Sequence, residues 1–407
     1  MINTNGGEKL KAEKNIGNLG ILSLILSKGI TNLPSLIVAL LLVDISTTFN
    51  IPVGVAGQIR TTSGLLSIIF ALIMGVLSIK YNHKTLLQIG LILYIVSAVG
   101  SYYSTSFTSL LAIYSLVGVA TAMVNPMINA LIDGYVEQEK KITVIGWTIA
   151  GLSLIYLAGS LSAGYISQWS WRTAFLLVIV PITVVTCLMC RNCIPRVQTS
   201  NKDSASGVGF LSGYNELLGN RSALGCILGT VLGLATWNLY LIYGASYWRQ
   251  AFQISVATIS VSLIFTSLSY TAGSLVSSKI IKRFGIKRIL IFSTGVLGFF
   301  TLFVFNAPSF LVSFGLTLFA SLSAGVMITA SSGFALMQIP EYQGTMMSLH
   351  SAAYSTGATI SAALGGYLLL LYGFGRFSLV MGFLGLAGAL VLQALTVNPV
   401  SSGEVKK

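Results

Sequence analysis

Two cations stand inside long apolar runs of this chain. Lys28 lies in the run that begins near residue 17, and Arg60 in the run that begins near residue 53. A charge in hydrocarbon is costly, so an ionisable side chain at such depth points to a solute or ion path. Lys28 is about eleven residues into its run, roughly 16 Å at 1.5 Å per residue and close to a bilayer midplane. His350 is the third such group, and it titrates near neutral pH when unperturbed, which makes it a candidate carrier of a coupling proton. Asp44, Asp133 and Glu341 stand only toward the ends of their runs. Two cations without a deep carboxylate would draw an anion, and the anion would offset their desolvation. Snorkelling of Lys28 and carbonyl contacts for Arg60 are the alternatives.

Other polar and aromatic side chains complete a candidate substrate-binding set. Asn32 follows Lys28 by four residues, which on an unbroken helix is the same face, and Pro34 is placed to kink that helix. Tyr114 and Asn125 share a later run, where Pro126 frees a backbone carbonyl. Trp237, Asn238, Tyr270 and the pair His350 and Tyr354, four apart, supply the remainder. Helix packing is the alternative role for each aromatic.

The elements that carry these residues follow from composition. Of 407 residues, 54% are hydrophobic and only 8% charged, against about 25% charged in a soluble protein. So few charges cannot coat a globular surface, which argues against a soluble enzyme or a nucleic-acid-binding domain despite the net +13. Apolar segments fall near 17–46, 53–78, 85–104, 107–132, 142–167, 173–192, 222–247, 255–280, 288–306, 308–335, 345–371 and 375–395. Each approaches or exceeds the length of a helical crossing, about 20 residues. They are continuous rather than alternating, which speaks against a β-barrel. The expected fold is an all-α membrane protein of twelve spans, numbered here in chain order.

The basic residues orient those spans. Lys9, Lys11 and Lys14 precede span 1; Lys80 and Lys84 join spans 2 and 3; Lys140 and Lys141 join spans 4 and 5. Arg191, Arg196, Lys202 and Arg221 flank the central connector, five more cations lie between Lys279 and Arg288, and Lys406 and Lys407 close the chain. All fall on one side, and the positive-inside rule places that side, with both termini, in the cytoplasm of a cell membrane. The charge is thus read as topology and contact with the lipid bilayer, with no nucleic acid. Cys187, Cys190 and Cys193 at the end of span 6 are read as small apolar helix residues, not a metal centre.

The chain repeats itself weakly. Phe49-Asn50-Ile51 aligns with Phe252-Gln253-Ile254, Lys84 with Lys287, Ala163-Gly164-Tyr165 with Gly365-Gly366-Tyr367, and Arg172 with Arg376. The expected organisation is a tail over 1–16, a six-helix bundle over 17–192, a linker over 193–221, a second bundle over 222–395 and a tail over 396–407. Parallel six-span repeats place a substrate site between the halves, near the midplane.

Over nearly its full length the chain resembles the major facilitator superfamily. The loop signature of that family, G-x-L-x-D-R-x-G-R-R, is similar to Gly75-Val76-Leu77-Ser78-Ile79-Lys80-Tyr81-Asn82-His83-Lys84. Here the aspartate is Ile79 and the second glycine is Asn82. The second copy, Lys282-Arg283-Phe284-Gly285-Ile286-Lys287-Arg288, keeps the R-F-G core. Gly159 to Gly164 resembles the span 5 motif without its proline, and Trp171-Arg172-Thr173-Ala174-Phe175 resembles the W-R-x-x-F link. The resemblance implies alternating access by rocking halves, with Gly75, Lys80, Lys84, Asp133, Arg283 and Gly285 as gating residues. Asp133 would meet Lys80 or Lys84. It implies a non-enzymatic, monomeric secondary transporter of a small molecule, without cofactor. The anion reading is set against proton-coupled multidrug efflux, whose branch the span 5 motif resembles, and against neutral-metabolite (sugar) efflux. No G-x-x-x-x-G-K-[ST] nucleotide loop occurs.

Overall fold

The computed structural model describes residues 16–195, 219–339 and 343–397, together with the backbone but not the side chains of a few helical residues among them. Both tails, most of the 193–221 connector and Glu341 lie outside the described residues. So does the side chain of Lys80, and Gly75 is described only as helical backbone.

All described secondary structure is helical. Span 1 is built of two pieces, Asn18–Ile30 and Leu33–Thr48, and span 2 of Val53–Ala56 and Gln58–Lys80. Spans 3, 4 and 5 are His83–Tyr103, Phe107–Tyr135 and Gln138–Ile166. Span 6, Trp171–Cys193, widens into one π-helical stretch at Phe175–Ile179. Spans 7 to 10 are Arg221–Phe252, Val256–Phe284, Ile286–Val304 and Phe310–Gln338. Spans 11 and 12 run together as Gln343–Leu395 and bend at Gly373, where φ is +68°. Ten described helices are long and apolar enough to cross a membrane. The bend divides the last of them into two arms, and the apolar Leu154–Ile166 part of span 5 completes the set of twelve expected spans.

The repeat is sharper in helix boundaries than in residue identities. Helices that begin at Asn18, Val53, His83 and Phe107 have counterparts that begin at Arg221, Val256, Ile286 and Phe310. Local chemistry explains several of these starts. Ser106 and Ser309 each cap the next helix by accepting a backbone N–H, from Ser109 and Val312 respectively, which satisfies a donor that has no partner within the helix. Ser255 and Asn220 cap spans 8 and 7 in the same way. Asn50 and Gln253, the paired centres of the F-N-I and F-Q-I repeat, both adopt left-handed backbone, at φ +51° and +55°.

The chain divides into two compact units, residues 1–45 with 62–202 and residues 46–61 with 203–407. In the first, span 1 packs on span 5 and span 6, and span 3 packs on spans 4 and 6. In the second, span 7 packs on the spans 11–12 helix, span 8 on span 10, and span 9 on span 10 and that same helix. Several buried hydroxyls are satisfied by their own helix. Thr183, Thr294, Thr301 and Ser321 each donate to the carbonyl four residues earlier. Such bonds remove the cost of a lone polar group in an apolar interior.

Candidate functional site

Lys28 closes the first piece of span 1. The helix stops at Ile30 and resumes at Leu33, with Thr31 and Asn32 in a turn and Pro34 inside the first turn of the second piece. That ordering has a cause, because proline has no N–H to give and fits best where a helix begins. Thr31 Oγ1 donates to the Lys28 carbonyl at 2.8 Å, which satisfies an acceptor at the break. The expectation of one helix face carrying both Lys28 and Asn32 is therefore corrected: Asn32 belongs to the turn, and Pro34 starts a helix piece instead of kinking one.

The half-buried Lys28 ammonium donates to Asn125 Oδ1 of span 4 at 2.8 Å. Gly29, the next residue, lies against Ile155 of span 5, where a Cβ would stand only 2.1 Å from Ile155 Cδ1. Ser27 lies 3.6 Å from the Cys190 sulfur of span 6. The lysine is thus held among three spans of the first unit, and its hydrogen-bond partner is a neutral amide that can also serve a second ligand.

The second unit gathers aromatic rings. Trp237 stacks on Tyr270 with centroids 5.7 Å apart and planes 12° from parallel. Tyr240 covers it from another side at 5.8 Å. Tyr270 lies within electrostatic range of Tyr354, and Tyr354 within range of Arg60. Tyr354 is 38% exposed, whereas Trp237 is 6% exposed. Arg60 belongs to this unit and Lys28 to the other.

The other expected site residues have settled environments. Asn238 is buried and donates its amide to the Leu234 carbonyl at 2.8 Å, folding back on its own helix. Tyr114 is fully buried, edge-on to Phe175 at 6.3 Å. His350 is buried with Nε2 3.1 Å from Ser331 Oγ. It faces span 10, while Tyr354, one turn on, is exposed.

The basic residues of the loop motif reach helix ends. The Lys84 side chain is buried and donates to the carbonyl of Arg191 at 2.7 Å and to that of Ile194. It therefore caps the end of span 6. Lys287 does the same to Thr396 at the end of span 12. Each carries a cation to the negative end of a helix, where carbonyls lack partners. Asp133 is exposed at the end of span 4. Arg283 is exposed and stacks over Phe284 at 5.3 Å. Gly285 alone joins spans 8 and 9, at φ +85° and ψ 145°, a conformation nearly restricted to glycine. Sequence reasoning missed the two lysine caps, though the matching of Lys84 with Lys287 was their signal. It also missed Gly54, whose Cβ would stand 2.3 Å from the Gly366 carbonyl oxygen.

Long apolar spans whose boundaries repeat along the chain describe a multi-pass membrane protein. The family model for the Major Facilitator Superfamily matches residues 20–247 and 225–407, and the chain belongs to that family. It is 26% identical over 325 residues to the uncharacterised MFS-type transporter YceJ of Bacillus subtilis (strain 168), covering 79% of this chain and 81% of that one. Two solved structures share the fold at low identity. The nucleoside transporter NupG aligns with a TM-score of 0.75 at 14% identity, over 93% of this chain and 99% of that one. A D-xylose-proton symporter aligns with a TM-score of 0.74 at 13% identity, over 93% and 98%.

Proposed function

We propose that this chain is a secondary transporter of a small organic anion, working by alternating access in a cell membrane with both termini cytoplasmic. The observation that carries the reading is Lys28 at the break of span 1, held by the neutral Asn125 amide. A cation kept at membrane depth by a neutral partner retains attraction for a carboxylate. In the second bundle Trp237, Tyr270 and Tyr354 offer flat apolar surface, with Arg60 close to Tyr354. His350 is the candidate for a coupling proton. Lys80, Lys84 and Asp133, with Arg283 and Gly285, form the basic loops that brace the moving halves, which are taken as 17–192 and 222–395.

The aromatic group favours a second reading, export of neutral or amphipathic compounds, since stacked rings accept such surfaces without regard to charge. NupG and the xylose symporter are named for a nucleoside and a sugar, which suits that reading. Thermal-shift screening of the purified transporter separates the two. Stabilisation by small carboxylates, lost in Lys28→Met, is expected. Stabilisation by lipophilic cations or sugars alone would favour the second reading.

A further inference from the structure

The basic end of span 8 gathers four exposed cations. Lys279, Lys282, Arg283 and Arg288 are all exposed. No Asp or Glu occurs anywhere between Glu216 and Glu341, so the surrounding sequence carries no acid to neutralise them. Among the described residues none of the four joins an ion pair or donates a hydrogen bond. Three other described loop lysines are engaged within the protein. Lys140 pairs with Glu137 at 2.8 Å, and Lys84 and Lys287 are spent on helix ends.

The same helix carries hydrocarbon-suited surface immediately above the charge. Leu275 is 73% exposed and Val276 is 48% exposed. Lys279 follows Leu275 by four residues, and Arg283 follows Lys279 by four, so all three share one helix face. That face passes from apolar to cationic within about one turn. Phe284, half exposed, lies beside the Arg283 guanidinium and marks the level of the change. An apolar surface that ends in unneutralised cations matches an acyl chain that ends in a phosphate.

We propose that Lys279, Lys282, Arg283 and Arg288 form a binding site for the headgroup of an anionic phospholipid lying along span 8. The site is independent of the transported solute. Its occupant is a lipid and not a free anion, because Leu275 and Val276 supply the acyl-chain surface on the same face.

The test uses the purified full-length transporter in neutral detergent. Phosphatidylglycerol should raise the melting temperature above the value in phosphatidylcholine of the same acyl chains. Native mass spectrometry should show retained phosphatidylglycerol. The variant K279Q/K282Q/R283Q/R288Q should lose that difference and bind on the order of tenfold more weakly or worse. K140Q should keep it. The double variant R283Q/R288Q gives a partial loss should the quadruple variant fold poorly. Raising the salt should erase the lipid difference in the wild type. Equal response to the two lipids, or a quadruple variant that keeps the phosphatidylglycerol response, would overturn the proposal. Inorganic phosphate reproducing the full shift would overturn it as well, since the site would then read a free anion.

Discussion

Positions 28 and 231 are equivalent in the two halves, as are 34 and 237, yet the helices around them are built on opposite plans. In the first half Lys28, a two-residue turn and Pro34 break span 1. In the second half Val231 and Trp237 stand in an unbroken helix from Arg221 to Phe252. The first plan tightens the backbone into one turn of i→i−3 hydrogen bonds and presents a charge. The second keeps every helical bond and presents rings. The contrast suggests a division of labour: the first half reads charge and the second reads shape.

Substitutions at equivalent positions test that division. The largest effect is expected at Trp237, whose ring packs between Tyr240 and Tyr270. Trp237→Ala should cost about 3–5 kcal/mol of stability in a denaturation assay. Pro34→Ala, at a helix start, should cost less than about 1 kcal/mol. Similar losses at both positions would break the contrast.

The two halves should respond differently at the motif glycine. Gly285→Ala forces a side chain into backbone at φ +85° and should lower stability by about 1–3 kcal/mol. Asn82 is its counterpart at φ −61° and caps span 3 through Lys84 N–H. Asn82→Gly should cost only a few tenths of a kcal/mol. The lysine caps should behave alike. Lys84→Met and Lys287→Met each leave helix-end carbonyls without a donor, and thermal denaturation should show similar losses of about 1–3 kcal/mol. One effect is a gain. Gln253→Gly relieves left-handed backbone and should stabilise by about 1 kcal/mol, whereas Asn50→Gly should gain less because asparagine tolerates that region.

Twelve spans and their doubling were legible in the sequence because hydrophobic run length and turn chemistry are local. The Phe49-Asn50-Ile51 match even marked a shared left-handed residue. Asn82 in the glycine position looked like decay of the motif, and the structure gives its reason: the backbone there is ordinary and the side chain caps a helix. Lys28 was legible as a buried cation, but its Asn125 partner lies 97 residues away, and no periodicity reports such a pairing. The roles of Lys84 and Lys287 were hidden for the same cause, since the carbonyls they reach belong to the far ends of their bundles. Asn238 and Tyr114 show the converse. Each had the right residue type for a site, and tertiary packing turned one onto its own helix and buried the other beside Phe175.

The central claim is that Lys28 reads the charge of the solute. It is tested most directly by counterflow of radiolabelled small carboxylates in proteoliposomes containing wild type, Lys28→Met or Val231→Met. The account predicts at least a tenfold loss in Lys28→Met, about the lower end of what one desolvated charge-assisted contact supplies, with Val231→Met close to wild type. Carboxylate counterflow that survives Lys28→Met unchanged, in a variant that is folded and inserted, would contradict it.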